Sequence, residues 1–311
     1  MEKLLQQSYW YMGEMMNNFI EEYSEYIKNE KSMAPNSVEA YIRDISEFLA
    51  FIESKGLAVM NMVENTEVIS FVLHLKSTGK STSTSNRKIA SIRGFYSFMQ
   101  DKGYVRVNPC QNIKSPKIER KEIEYLTIKE VDKLLSLPDN TVKGIRDRAI
   151  LEVLYATGIR VSELIEANVE DINLRVGFIT CTGEFGKARI VPIGRPARAA
   201  LEEYIYEGRS KLIKGKKTED SPLFVNYVGE RITRQGLWKL LKEYAKRGEI
   251  AKTITPQILR NSFAAHMIQN GADLKSLQEL LGHEDLTATQ AYLSVTKNRI
   301  KEVYDKTHPR A

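Results

Sequence analysis

The chain has 311 residues, 42% hydrophobic and 28% charged, which is enough for two domains that each bury an apolar core. No apolar run nears the ~20 residues that cross a bilayer, and the first 19 residues mix acids among their apolar side chains without a small-residue cleavage site, which argues against a membrane span and a signal peptide. Cys110 and Cys181 stand far apart with no CxxC, which argues against a disulfide framework or a zinc site and leaves a cytoplasmic protein as the expectation.

The first third reads as helices. In residues 37–56, Val38, Tyr41, Ile42, Ile45, Phe48, Leu49 and Phe51 recur at helical spacing, and Gly56 supplies the stop. Asn36 with Glu39 three residues on is close to a capping-box pattern. Further helices fit 66–77, ending near Gly79, and 84–102, with Ile89, Ile92, Phe95, Tyr96 and Phe98 on one face and Gly103 at the end. Charge is uneven along this stretch. Residues 1–67 hold 5 Lys/Arg against 12 Asp/Glu, whereas 68–118 hold 9 against 1, a local balance of +8 within a net charge of +6. A block of that size is the footprint expected where a protein neutralises phosphates, although a lone charge run is more often a solvated face. The hydroxyl-rich run 81–85 beside Arg87 and Lys88 reads as a phosphate grip at a helix N-terminus, or as a cap and turn. Arg87, Lys88 and Arg93 are the DNA-contact candidates here, mainly to phosphates.

Residues 111–124, QNIKSPKIERKEIE, are polar and lack apolar periodicity, so they read as an exposed linker. The expected division is a helical domain at 1–112, a linker at 113–124 and a second domain at 125–311. Beyond the linker, Thr127 caps a helix over 128–137, and RDRAILEVLYATG reads as a buried helix ending at Gly158. Two β-rich runs around a Gly-containing turn at 183–186 form a hairpin over 177–194. Helices are expected at 195–208, 233–247, 258–270, 274–281, 287–293 and near 297–306, which makes the fold mainly α with a small β-sheet. On the helix after Thr233, Arg234, Gln235, Lys239 and Lys242 share a polar face that suits a DNA groove or backbone. Leu237, Leu240, Leu241 and Tyr244 form the core-facing stripe, and Trp238 is expected to pack in the core.

Four segments carry the chemistry. ATGIRVSEL puts Arg160 just past Gly158, with Glu163 three residues on; TPQILRNSFAAHM carries Arg260 and His266. LLGHEDLTATQAYLSV carries His283 and, nine residues later, Tyr292, and the chain closes with THPRA. In this order and spacing they resemble the tyrosine recombinases of the Xer group, bacterial and archaeal enzymes that resolve chromosome dimers. The resemblance runs over nearly the whole chain. NSVEAYIRDISEFLAFI and TSNRKIASIRGFYSFM are similar to the family's SAM-like, DNA-clamping N-terminal domain, and RDRAILEVLYATGIRVSEL to the start of its catalytic domain. Tyr292 is one of 15 tyrosines, and an arbitrary one is more often packing than nucleophile; its place after Gly282-His283 reverses those odds. His266, among Phe263, Ala264, Ala265 and Met267, reads as packed rather than catalytic.

The resemblance implies site-specific cutting and rejoining of duplex DNA without metal, ATP or other cofactor. A phenol attacks the phosphodiester and stores the bond energy as a 3′-phosphotyrosine, while the 5′-hydroxyl leaves and later returns. Arg160 and Arg260 would hold the non-bridging oxygens, and His283 would add a hydrogen bond. Two departures fall inside the site. Gln257 and Asn261 stand where the family usually has histidines, and an amide bonds a phosphate but shuttles no proton. Glu184 occupies the place of the hairpin's catalytic lysine. Lys187, three residues on, then acts as the general acid, or is the family's second hairpin lysine, which performs no acid catalysis. The resemblance further implies four protomers on two synapsed sites, a second recombinase, a septal DNA translocase and a C-terminal tail docked on a neighbour. The alternative is a non-catalytic DNA-binding relative that keeps only the clamp.

Overall fold

The computed structural model describes residues 17–56, 63–116, 122–183, 186–213, 221–283 and 286–292. The chain divides into two compact units, Met1–Arg120 and Lys121–Ala311.

The first unit is helical: α1 over 17–29, α2 Pro35–Ser54, α3 Asn65–Ser77 and α4 Thr82–Asp101. Pro35 opens α2 at its first position with Ala34 as the cap, so the Asn36–Glu39 pattern lies inside the helix instead of capping it. Ser81 Oγ accepts the Thr84 N–H at the start of α4. Phe48, Phe71, Phe95 and Tyr96 fill the core, with the Phe48 and Phe71 rings edge to face at 5.2 Å.

Here the structure corrects one expectation. Lys88 is buried, its ammonium 3.0 Å from Asp44 and 2.7 Å from Glu47, both on α2. Arg87 pairs with the same Asp44 carboxylate. Asp44 is completely buried, and a buried carboxylate demands cationic partners. Arg93 donates to the carbonyls of Cys110 and Ile113 and so fixes the segment after α4. Lys88 therefore serves the unit itself, and Arg93 spends at least two of its donors on it. Asn86 likewise donates to the Pro116 carbonyl, so the first part of the expected linker has exposed side chains but a tethered backbone.

The second unit opens with α5, Ile128–Ser136, capped reciprocally by Thr127 and Glu130. α6, Val142–Thr157, is buried on most sides and stops at Gly158 in the left-handed conformation, φ +58°. α7, Val161–Glu166, follows at once. An antiparallel sheet runs β1 Ile172–Asn173, β2 Phe178–Thr182, β3 Ala188–Pro192 in that order. β2 and β3 are the expected hairpin, with Cys181 opposite Arg189 and Ile179 opposite Val191. β1 is two residues long, too short to show alternation in the sequence.

α8, Arg195–Glu203, runs through a π turn at Tyr204–Arg209 into α9, Ser210–Ile213, beyond the expected end at 208. Then come α10 Arg234–Arg247, α11 Pro256–Gln269, α12 Leu274–Leu281 and α13 Leu286–Gln290. On α10 the Leu237, Leu240, Leu241 and Tyr244 stripe is buried as expected, but Trp238 is 51% exposed. At 100° per residue it falls on the solvent face with Gln235, Lys239 and Lys242. The expected helix near 297–306 and the tail lie outside the described residues. Tyr292 sits in the turn after α13, within a small cluster of Phe263, Ile268, Leu277 and Leu281.

Candidate active site

Three helix ends meet at this site. A Cβ on Gly158 would lie 2.4 Å from Phe263 Cδ1 and 3.1 Å from Leu281 Cδ2, so the end of α6 abuts α11 and α12 with no room for a side chain. The left-handed turn then throws Arg160 to the cap position of α7, where its N–H donates to Glu163 Oε2 at 2.6 Å. Arg160 Nη2 donates to the Gly282 carbonyl at 2.6 Å, and Nη1 to Glu163 Oε1 at 3.2 Å. Its side chain remains 41% exposed.

Arg260, buried on α11, donates through Nη1 to the Gly158 carbonyl and through Nη2 to the Leu281 carbonyl at 2.8 Å. The same Nη2 lies 2.9 Å from His283 Nε2. A guanidinium only donates, so His283 Nε2 accepts and the ring proton sits on Nδ1, which donates to Thr289 Oγ1 at 2.9 Å. Burial, then the charges of Arg260, Arg160 and Arg189, push His283 down to about 4, which makes it neutral at physiological pH.

Tyr292 is buried and its hydroxyl donates to Asn261 Oδ1 at 3.0 Å. Gln257 Nε2 donates to that same oxygen at 2.9 Å, and Asn261 Nδ2 donates to the Glu124 carbonyl at 3.0 Å. The two residues that depart from the family pattern thus meet each other and the phenol. Burial raises the Tyr292 hydroxyl above its ordinary value against the opposing charge of Arg260. Arg160, Arg260 and His283 are joined directly around the 281–283 turn, and Tyr292 and Gln257 are joined to one another through Asn261, one residue beyond Arg260. Lys187 is exposed just past Gly186, with its carbonyl accepting the Gly183 N–H across the hairpin turn at 2.9 Å. Glu184 lies outside the described residues. Arg234, Gln235 and Lys239 are exposed on α10. His266 is packed, its Nδ1 2.9 Å from the Tyr155 hydroxyl.

Sequence reasoning missed Arg189. From β3 it binds Glu163 with both terminal nitrogens, at 2.5 and 2.9 Å, and its Nε donates to the Leu280 carbonyl at 2.8 Å. Burial works against ionisation of Glu163, but the Arg189 bonds, the Arg160 N–H and both charges hold its carboxyl below the usual range. The signal was in the alternation: Arg189 is in phase with Val191, the core-facing residue of β3. Among the described residues, the assembled site gathers three guanidiniums, two of them on the Glu163 carboxylate, an arrangement suited to an anion.

Comparison with known proteins shows the family. The phage integrase family matches residues 124–299, and the phage integrase N-terminal SAM-like domain matches 20–103. Tyrosine recombinase XerD of Oceanobacillus iheyensis is 44% identical over 298 residues, 96% of this chain and all of the relative. Its namesake in Listeria monocytogenes is 42% identical over 95% of this chain and all of the relative. Among solved structures, a XerH site-specific recombinase bound to a palindromic difH substrate superposes with a TM-score of 0.72 at 21% identity, over 86% of this chain and 78% of that one. A lambda integrase dimer bound to a COC′ core site gives 0.69 at 16%, over 89% and 94%. With a family match over more than half its length and end-to-end relatives above 40% identity, the chain belongs to the phage integrase family, among the tyrosine recombinases.

Proposed function

We propose that this chain is a site-specific recombinase that cuts and rejoins duplex DNA through a covalent 3′-phosphotyrosine at Tyr292. The observation that carries the reading is the convergence of Arg160, Arg260 and His283 on one turn, with the Tyr292 phenol bonded to Asn261, the residue after Arg260 on α11. The described bonds use two of the five N–H donors of Arg160 and three of those of Arg260, which leaves donors on both for the non-bridging oxygens. The phosphate's negative charge would offset the cations that depress His283 and let it donate as well. Lys187 protonates the leaving 5′-oxygen, and Gln257 orients Asn261 without moving a proton.

DNA contacts fall to Arg234, Gln235 and Lys239 on α10. In the first unit they fall to Arg87, whose side chain is 39% exposed, and to the exposed Lys76 and Lys80 before the Ser81 cap. The resemblance supports synapsis of two sites by four protomers in the cytoplasm, with a second recombinase, a septal DNA translocase and the C-terminal tail docked on a neighbour. The resemblance to the Xer group, with relatives named XerD, supports chromosome-dimer resolution over integration and excision of a mobile element.

The test is a nicked duplex carrying a site selected from genomic fragments, which traps the cleaved intermediate. The wild-type protein should give an SDS-resistant protein–DNA adduct, and Tyr292→Phe should bind the duplex but give none. An adduct with the Phe variant refutes Tyr292 as nucleophile. Binding without any wild-type adduct establishes the non-catalytic relative instead.

A further inference from the structure

We propose that Arg189 is a positioning residue for strand cleavage: by neutralising Glu163 from the protein side and bracing the Gly282–His283 turn, it keeps the Arg160 guanidinium turned outward for phosphate. The inference rests on the recombinase reading above.

Three observations support it. Glu163 is offered two guanidiniums and is shared unequally between them. Arg189 meets it fork to fork, with side chains 14% and 3% exposed, whereas the Arg160 guanidinium spends a single 3.2 Å bond on it and stays 41% exposed. A buried carboxylate takes the best cation within reach. With Arg189 present, that cation is not Arg160. Second, the Arg189 Nε bond to the Leu280 carbonyl ties β3 to the last turn of α12, directly before His283. Third, a Cβ on Gly282 would lie 2.8 Å from Arg189 Nη1, 2.9 Å from Cζ and 3.0 Å from Nε, so the guanidinium lies against the glycine's Cα. Arg160 holds the carbonyl of the same glycine at 2.6 Å. Gly282, at φ +63°, is thus gripped by both arginines.

Without Arg189, Glu163 would keep a buried negative charge whose other described cation is Arg160. The carboxylate would then compete with DNA for that guanidinium. The cost would appear in the cleavage step more than in binding, because other cations supply most of the affinity.

The experiment measures single-turnover adduct formation on the nicked duplex at saturating protein, with gel-shift affinity alongside, for wild type, Arg189→Met, Glu163→Gln and the double variant. Arg189→Met should cleave about 100-fold more slowly, the scale of one lost transition-state donor, with affinity within a few fold of wild type. Adding Glu163→Gln should recover roughly tenfold, as expected for two directly coupled groups, because the competing charge is gone. A strut that merely packed the hairpin would gain nothing from that second change. Arg189→Lys keeps the charge but not the fork and should fall between wild type and Arg189→Met, which preserves the test if the Met variant does not fold. Wild-type speed in Arg189→Met, or a double variant no faster than the single, overturns the inference. Absence of an adduct from the wild type would instead overturn the recombinase reading.

Discussion

Arg260→Lys separates what this arginine does for the fold from what it does for the reaction. Arg260 is 4% exposed, and its two terminal nitrogens serve two different carbonyls, Gly158 at the end of α6 and Leu281 at the end of α12. Lysine keeps the charge but offers one nitrogen, which reaches one of the two carbonyls. A buried acceptor left without a partner costs about 1–3 kcal/mol. For a unit of this size each kcal/mol lowers the melting temperature by roughly 2–4 °C, so thermal unfolding should shift down by about 5 °C. The catalytic loss is larger, because the fork that would hold the non-bridging oxygens is gone along with the donor to His283 Nε2. Removal of one such donor is worth about 100- to 1,000-fold in rate. Calorimetry and adduct formation on the nicked duplex read the two effects independently. A variant that melts within a degree of wild type, or cleaves within threefold of it, would refute the dual role.

Lys187→Ala should slow cleavage of an ordinary phosphodiester yet leave a 5′-bridging phosphorothiolate nearly unaffected, since a thiolate leaves without a proton; equal slowing on both assigns Lys187 to holding DNA. The depressed His283 makes stability depend on pH. Below about 6.5 the unfolded chain binds a proton that the folded site refuses until about 4, so stability is present above that window and is lost as pH falls through it. Melting at about pH 7.5 and about pH 5 should show a smaller acid loss for His283→Gln than for wild type, the packed His266 contributing equally to both; identical losses would refute the assignment.

How much of this was legible depended on how local each signal was. Gly158 before Arg160, Thr127 as a cap, and the α10 leucine stripe are set within a few residues, and the structure matches them. Arg160, Arg260, His283 and Tyr292 are singled out by motif order and spacing through the family resemblance. Which residues meet them was not legible, because partners come from far along the chain: Arg189 reaches Glu163 across 26 residues, and Tyr292 reaches Asn261 across 31. Lys88 misled for the same reason. A basic run next to a helix start resembles a DNA-facing surface until Asp44, 44 residues earlier, turns one of its cations inward. Trp238 failed on composition: its size suggested the core, while helical phase had already assigned it to solvent.

Among the described residues, three guanidiniums with a single carboxylate, paired to only two of them, make this site a locally frustrated cluster. Burial and the neighbouring charge of Arg160 push Arg260 down to about 10, a mark of how unfavourable its charge is there. Among the described residues, helix-end carbonyls rather than a second acid hold Arg260 in place, which leaves positive charge there without a described counter-charge. A more stable protein would carry another carboxylate here, and it would be a poorer enzyme. On the proposed reading the scissile phosphate would supply counter-charge to this cluster as well as being the substrate, and DNA bound here would add stability to the second unit by mass action. Each cleavage would then begin with a phosphate taking its place among these arginines.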